Sequence, residues 1–190
     1  MNSTSLRQLQ IRLPSAFKAL MLTLILPICS GCFASKLPPI ELVPTVDLPR
    51  FMGEWYVIAA IPTFIEKDSF NAIENYKLAG DGRIETTFTF NKGSFSGPAK
   101  KYRPTGFVVE NTNNALWGMQ FIWPFKSEFR IVYLDPNYTQ TIIARNARDY
   151  VWIMARTPEI SEKNYQELVS EVEKMGYDTK SLRRVPHKKG

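Results

Sequence analysis

Few side chains in this chain can carry covalent or metal chemistry, and their positions limit what chemistry is open. The one histidine is His187, and the two cysteines are Cys29 and Cys32. A nucleophilic triad needs an imidazole held by the fold, whereas His187 sits near the C-terminus, where chains are usually loosely held. Zinc sites need clustered cysteine or histidine ligands, and none exist, so no metal site is read. "GSFSG" (Gly93–Gly97) looks like a nucleophile elbow but lacks the glycine two places before Ser96, and no helix follows it. "GDG" (Gly80–Gly82) lies between two extended runs and is not a phosphate cradle. Only Glu74, Tyr76 and Tyr133 remain as acid or base candidates, and only if the fold encloses them. No catalytic residue and no cofactor is assigned.

The N-terminus reads as a targeting segment. Arg7, Arg12 and Lys18 precede the apolar run "ALMLTLILPI" (Ala19–Ile28), which small residues in "CSGC" close. The run is shorter than the roughly 20 apolar residues a membrane span requires. Ser30 and Gly31 before Cys32 resemble the lipobox of bacterial lipoprotein signals, with Cys29 in the usual place of leucine. Residues 1–31 are therefore expected to be a signal peptide, with lipid attached to Cys32. Residues 32–46, carrying Pro38, Pro39 and Pro44, read as an extended, semi-stiff tether. Residues 47–190 form the folded domain. Losing three of 24 basic residues leaves 21 against 18 acidic ones, so the formal charge drops from +6 to +3. That excess collects at the tail, and no nucleic-acid footprint is read. With no cysteine beyond Cys32, core burial must stabilise the domain without disulfides.

What positions the remaining residues is a series of short extended runs. "WYVIAAIP", "AIENYKLAG", "RIETTFTFNKG", "KYRPTGFVVEN", "LWGMQFIWPF", "SEFRIVYLDPN", "YTQTIIARN" and "DYVWIMARTP" are separated by Gly, Asn, Asp and Pro turns, with no helical crossover. Eight such strands make an all-β, up-and-down antiparallel meander that can close into a barrel. A helix follows, capped by Ser161, with Tyr165, Leu168, Val169, Val172 and Met175 at intervals of three and four and Gly176 to end it. It is expected to pack on the outside of the barrel. A further short strand around "SLRRVPH" is possible.

The first run, "GEWYVIAAIPTF", is apolar on both faces, where a half-buried strand would alternate. Strict alternation puts Trp55, Val57, Ala59 and Ile61 on one face and Tyr56, Ile58 and Ala60 on the other, under the helix. The same parity turns Trp117, Met119 and Phe121 inward, then Phe129, Ile131 and Tyr133, then Trp152 and Met154. Facing small or modest residues such as Ala59, Gly106 and Val108, these aromatics outline an apolar cavity, of the kind an eight-stranded barrel can hold. Trp55 and Arg156 should meet where first and last strands join, with Gly53 beside them. A guanidinium over an indole contributes about 2 kcal/mol when desolvated. Parity also turns Glu74 inward with Tyr76. An unpaired carboxylate there is costly, so an arginine partner, a wet mouth or a reversed parity is required, and reversed parity is preferred. Arg130 is expected to face solvent.

"GEWY", "LDPNY" and "ARTP", in that order, resemble the three motifs of the lipocalin family, and "DYVWIMARTP" and "FIWPF" resemble its bacterial outer-membrane lipoprotein branch, related to apolipoprotein D. The resemblance implies a structural role for Gly53, Trp55 and Arg156. It also implies a lipid-anchored carrier of the outer membrane, facing the periplasm, since Phe33 replaces the aspartate that retains such lipoproteins in the inner membrane. A fatty acid or lysophospholipid would occupy the cavity formed by Val57, Ala59, Tyr76, Gly106, Val108, Trp117, Met119, Phe121, Phe129, Ile131, Tyr133, Trp152 and Met154. A lipid- or prenyl-modifying enzyme and a filled-barrel interaction protein are the alternatives, and a homodimer is left open.

Overall fold

A computed structural model gives the fold and describes residues 37–188. The expected leader and Cys32 lie outside the described residues. The extended runs become β1 (Gly53–Ile61), β2 (Ser69–Leu78), β3 (Ile84–Lys92), β4 (Ala99–Tyr102), β5 (Thr105–Val108), β6 (Leu116–Ile122), β7 (Phe125–Leu134), β8 (Gln140–Ala144) and β9 (Val151–Ala155). β4 and β5 are two halves of one strand along β3, interrupted at Arg103-Pro104 because proline has no N–H to give the ladder. With β4 and β5 both on β3 and β5 leading on to β6, each strand of the meander pairs antiparallel with the next. β1 also pairs with β9, from Tyr56 opposite Ala155 to Ile61 opposite Val151, which closes an eight-stranded barrel.

Both faces of β1 are covered, but not with strict alternation. Trp55, Val57 and Ala60 are buried inside the barrel, while Ile58 and Ala59 are buried in the cluster under the helix. The register against β9 slips between Val57 and Ala59. This bulge adds one residue and reverses parity. Ala59, expected inside, therefore lies outside. A second slip, between Ile131 and Tyr133 on β7, turns Tyr133 outward against the same cluster, also contrary to expectation.

Helix α1 (Leu48–Phe51) is a single turn and α2 (Glu162–Lys174) the longer, C-terminal one. Ser161 caps α2 by accepting from the Asn164 N–H at 3.1 Å. Gly176, at φ +88°, supplies the left-handed exit. Tyr165, Leu168 and Val172 cover Ile58, Ala59, Ile142 and Ile153 on the outer wall.

Both ends of the described chain are more firmly held than the sequence suggests. Residues 38–46, expected to form a free tether, run down the outside of the barrel. Arg148 donates to the Pro38 carbonyl at 2.6 Å, Ile40 N–H to Asn146 at 2.8 Å, Val43 N–H to the Ile131 carbonyl at 3.0 Å and Val46 N–H to the Asn113 carbonyl at 2.9 Å. Arg130, expected in solvent, is buried by this segment and donates to the Ile40 carbonyl (2.7 Å) and to Glu128 (2.8 Å). At the other terminus a short β10 (Arg183–Arg184) pairs with β1. Beyond it His187, expected to be loose, packs its ring 5.5 Å from Tyr56 and hydrogen-bonds the Val57 carbonyl at 2.9 Å.

One end of the barrel is sealed by polar and aromatic groups together. Asp47 caps α1, which carries Phe51 under the barrel. Trp55 donates its indole N–H to the Phe51 carbonyl at 2.8 Å. The Arg156 guanidinium lies 3.8 Å from the Trp55 ring and donates to the carbonyls of Arg50, Phe51, Met52, Glu54 and Tyr138, at 2.7–3.2 Å. Gly53, at φ +92°, makes the bend beside it that a side chain would strain. Replacing Arg156 with Met removes a donor from all five carbonyls, with that of Phe51 keeping the Trp55 indole, so Arg156→Met is expected to lower unfolding free energy by about 3 kcal/mol in urea titrations. Arg156→Lys should recover less than half of the loss, because an ammonium cannot reach all five.

Candidate functional site

The opposite end is open. It is built from the β1–β2 loop (62–68), the β3–β4 loop (93–98), the β6–β7 turn (123–124) and the β8–β9 loop (145–150). The "NTNNA" loop (111–115) belongs to the sealed end, where Asn113 and Asn114 donate to the Pro44 and Val46 carbonyls at 2.9 and 3.0 Å.

Beneath the mouth lies a cavity of about 310 Å³, at the lower end of the roughly 300–1,000 Å³ typical of ligand pockets. Met119, Phe121, Phe129, Trp152 and Met154 line it. Tyr76 and Trp117 form its floor instead: Trp117 stacks on Phe129 at 4.9 Å, and meets Tyr76 and Phe51 edge-on at 5.7 and 5.5 Å. Val57 and Ile131 are buried in the same inner core, and Val57 also borders a separate cleft beside the C-terminal tail. Gly106 makes room for its neighbours and not for a ligand, since a Cβ there would stand 3.0 Å from that of Ile84. Val108 packs, half-buried, on the inner core. Ala59 and Tyr133 are on the other side of the wall.

Several lining residues were not anticipated. Phe88 follows from the alternation of Ile84, Thr86, Phe88 and Phe90, all buried, which "RIETTFTF" displays. Phe64, Ile65 and Glu66 come from the β1–β2 loop folding over the mouth, for which local sequence carries no signal. Arg145 comes from the β8–β9 loop, its guanidinium 5.3 Å from the ring of Tyr150, which the alternation Tyr150, Trp152, Met154 does place inside. The Arg145 Nε is 3.4 Å from the Asp149 carboxylate and makes no hydrogen bond.

Three carboxyl-bearing residues border this largely apolar space: Glu66, Glu74 and Glu128, the last engaged by Arg130 and the Asn146 N–H. Glu74 points inward beside Tyr76, so the preferred reversal of parity is wrong. The barrel wall surrounds it, and the surface it retains opens onto the cavity. Its compensation is a hydrogen bond from the Tyr76 hydroxyl together with a raised pKa. Burial pushes Glu74 up to about 7, the Tyr76 bond opposes the rise and the charge of Glu66 adds to it. The Tyr76 phenol is pushed well up, first by burial and then by Glu74. Glu66, nearer the mouth, accepts from the Trp152 indole N–H at 3.1 and 3.2 Å and from the Thr63 N–H at 3.0 Å. Burial raises its pKa too, against these bonds. The arrangement can hold protons near neutrality, and among the described residues no cluster suited to a metal ion accompanies it.

A sealed barrel with an outer helix and one apolar cavity has counterparts among known proteins. Residues 46–187 match the family described as "Lipocalin-like domain". The chain is 30% identical over 158 residues to temperature-induced lipocalin-1 of Arabidopsis thaliana, spanning 77% of this chain and 82% of that one. It is 28% identical over 149 residues to outer membrane lipoprotein Blc of Escherichia coli, spanning 76% and 82%. The structure of insecticyanin from the tobacco hornworm superposes with a TM-score of 0.63 at 17% identity, covering 80% and 86%. The chain belongs to the lipocalin-like domain family. Within that family it is a lipocalin of the Blc type.

The raised carboxyl fixes a pH dependence of stability. Unfolding returns Glu74 to about 4.5 from about 7, so between these values the native state holds more protons and stability falls as pH rises. Below the lower value the effect vanishes; above the upper one the penalty is full, at most about 3 kcal/mol. Urea midpoints of the wild type are expected to drop between pH 5 and pH 8, and Glu74→Gln should flatten that slope.

Proposed function

We propose that this lipocalin carries a fatty acid or lysophospholipid, tail first, in its barrel cavity, and is held at the outer membrane, on its periplasmic side, by lipid on Cys32. Lipid storage, transport and membrane maintenance are the roles this serves. The observation that carries the reading is the polarity of the cavity. Its walls are mostly Met and aromatic side chains, Glu74 lies deep in it, and Glu66, Glu128 and Arg145 lie nearer the mouth. An anionic headgroup is disfavoured beside Glu74 and favoured beside Arg145. Each methylene buried contributes about 0.8 kcal/mol, so an alkyl chain needs no polar contact at depth. The printed name of the Escherichia coli relative, an outer membrane lipoprotein, supports the location.

Native mass spectrometry and displacement of a fluorescent fatty acid test the carrier reading. Phe121→Asp at the rim and Ser127→Trp, which fills the cavity from β7, are each expected to weaken binding at least tenfold without changing the thermal midpoint by more than a few degrees. Unchanged affinity in both would sink it.

A second reading rests on Glu74. An enclosed carboxyl with a pKa near 7 is poised as a general base, as an enzyme acting on a lipid or prenyl substrate would require. Glu74→Gln separates the two readings: a carrier keeps or gains affinity for a fatty acid, whereas an enzyme loses turnover in lipid-product assays.

A further inference from the structure

Large apolar side chains on the described surface are concentrated at the mouth. Phe64, Ile122, Trp123 and Phe125 are 88, 72, 82 and 76% exposed, and all stand in the β1–β2 loop or at the β6–β7 turn. At the sealed end the exposed large hydrophobics, Leu78 and Val109, reach only 38 and 41%. A patch of this kind marks an interaction surface, and a tryptophan at its outermost turn suits a headgroup layer, where amphipathic rings concentrate. Lys67 and Lys92 are exposed at the same end, beside Asp68 and Asp149, while the Lys126 ammonium folds down the outer wall onto the Phe107 ring, 3.7 Å from its centre. The two lysines favour anionic lipid.

The path of the N-terminal segment supplies an independent constraint. Pro38 is fastened to Arg148 at 2.6 Å, beside the mouth, and the chain then descends to Asn113 at the sealed end. The described chain therefore begins at the mouth. Cys32 precedes Leu37 by five residues, an extended reach of at most about 18 Å. The nine residues of β1 run about 30 Å, and strands tilted by about 40° make the barrel about 23 Å tall. A lipid on Cys32 reaches a bilayer facing the mouth and falls short of one facing the sealed end.

We propose that the barrel docks mouth-down on an anionic bilayer surface, with Ile122, Trp123 and Phe125 seated at the level of the headgroups. Bilayer and cavity then meet with no water between them. The orientation by the anchor rests on the lipidation of Cys32, whereas the apolar and basic rim does not.

The test uses the chain from Leu37, a compact unit of its own that lacks Cys32, with vesicles of phosphatidylethanolamine and phosphatidylglycerol. Tryptophan fluorescence is expected to be quenched by brominated acyl chains, because Trp123 is the exposed one of four tryptophans, the others being buried or half-buried. Trp123→Ser and Lys92→Glu should each weaken vesicle binding several-fold and the pair at least tenfold. Neither residue lines the cavity, so both variants should keep wild-type affinity for a fatty acid in solution. Absence of vesicle binding by the wild type, or equal binding by the double variant, overturns the proposal. So does a solution dimer that Trp123→Ser dissociates, if no vesicle binding accompanies it. Docking without fatty-acid binding leaves the proposal standing and removes the carrier reading alone.

Discussion

Arg156 holds the barrel's sealed end. A closed barrel must join its first and last strands, and here the join ends in a guanidinium that satisfies five carbonyls and covers the Trp55 ring. Those carbonyls come from α1, the start of β1 and the β7–β8 loop, so one side chain fixes three segments. The aromatic floor of Phe51, Tyr76, Trp117 and Phe129 rests on that seal. With one end closed by polar contacts and aromatic packing, the space above can stay open without the wall collapsing. Cavity and plug are therefore one design: the hollow exists because the packing is concentrated below it.

The architecture was legible because it is written in period and punctuation. Eight extended runs, turn residues between them and a capped apolar stripe at the end specify a meander with an outer helix, and the structure has these elements. Strict alternation failed at Ala59 and Tyr133, in each case one or two residues past a point where the register slips. A bulge costs one unpaired residue and is decided by how strands must bend to close, which is a tertiary demand without a local signature. Trp117 and Tyr76 were assigned the right face at the wrong height. Periodicity tells inside from outside and says nothing of depth along a barrel axis.

Glu74 shows a different limit. Parity put it inside, and the energetic objection to a buried carboxylate moved it out. The objection assumed an ionised group without partners. A neighbouring tyrosine hydroxyl and a pKa near neutrality make a mostly neutral acid inside the wall tolerable at mildly acidic pH. The general rule is sound for charges, and it was applied to a group that can shed its charge.

The pairing of β1 with both β9 and the last residues of the chain has a kinetic consequence. Ile58 accepts from Val185, and Asn71 donates to Pro186, so the wall near the mouth is completed by a segment more than a hundred residues away in sequence. No partial chain that stops short of β9 can close this barrel, because the strand that begins it waits for the strand that ends it. Long loop closure must precede its reward, which slows folding relative to a protein of local contacts. The same delay leaves the seam between β1 and β9 open until β9 has been made.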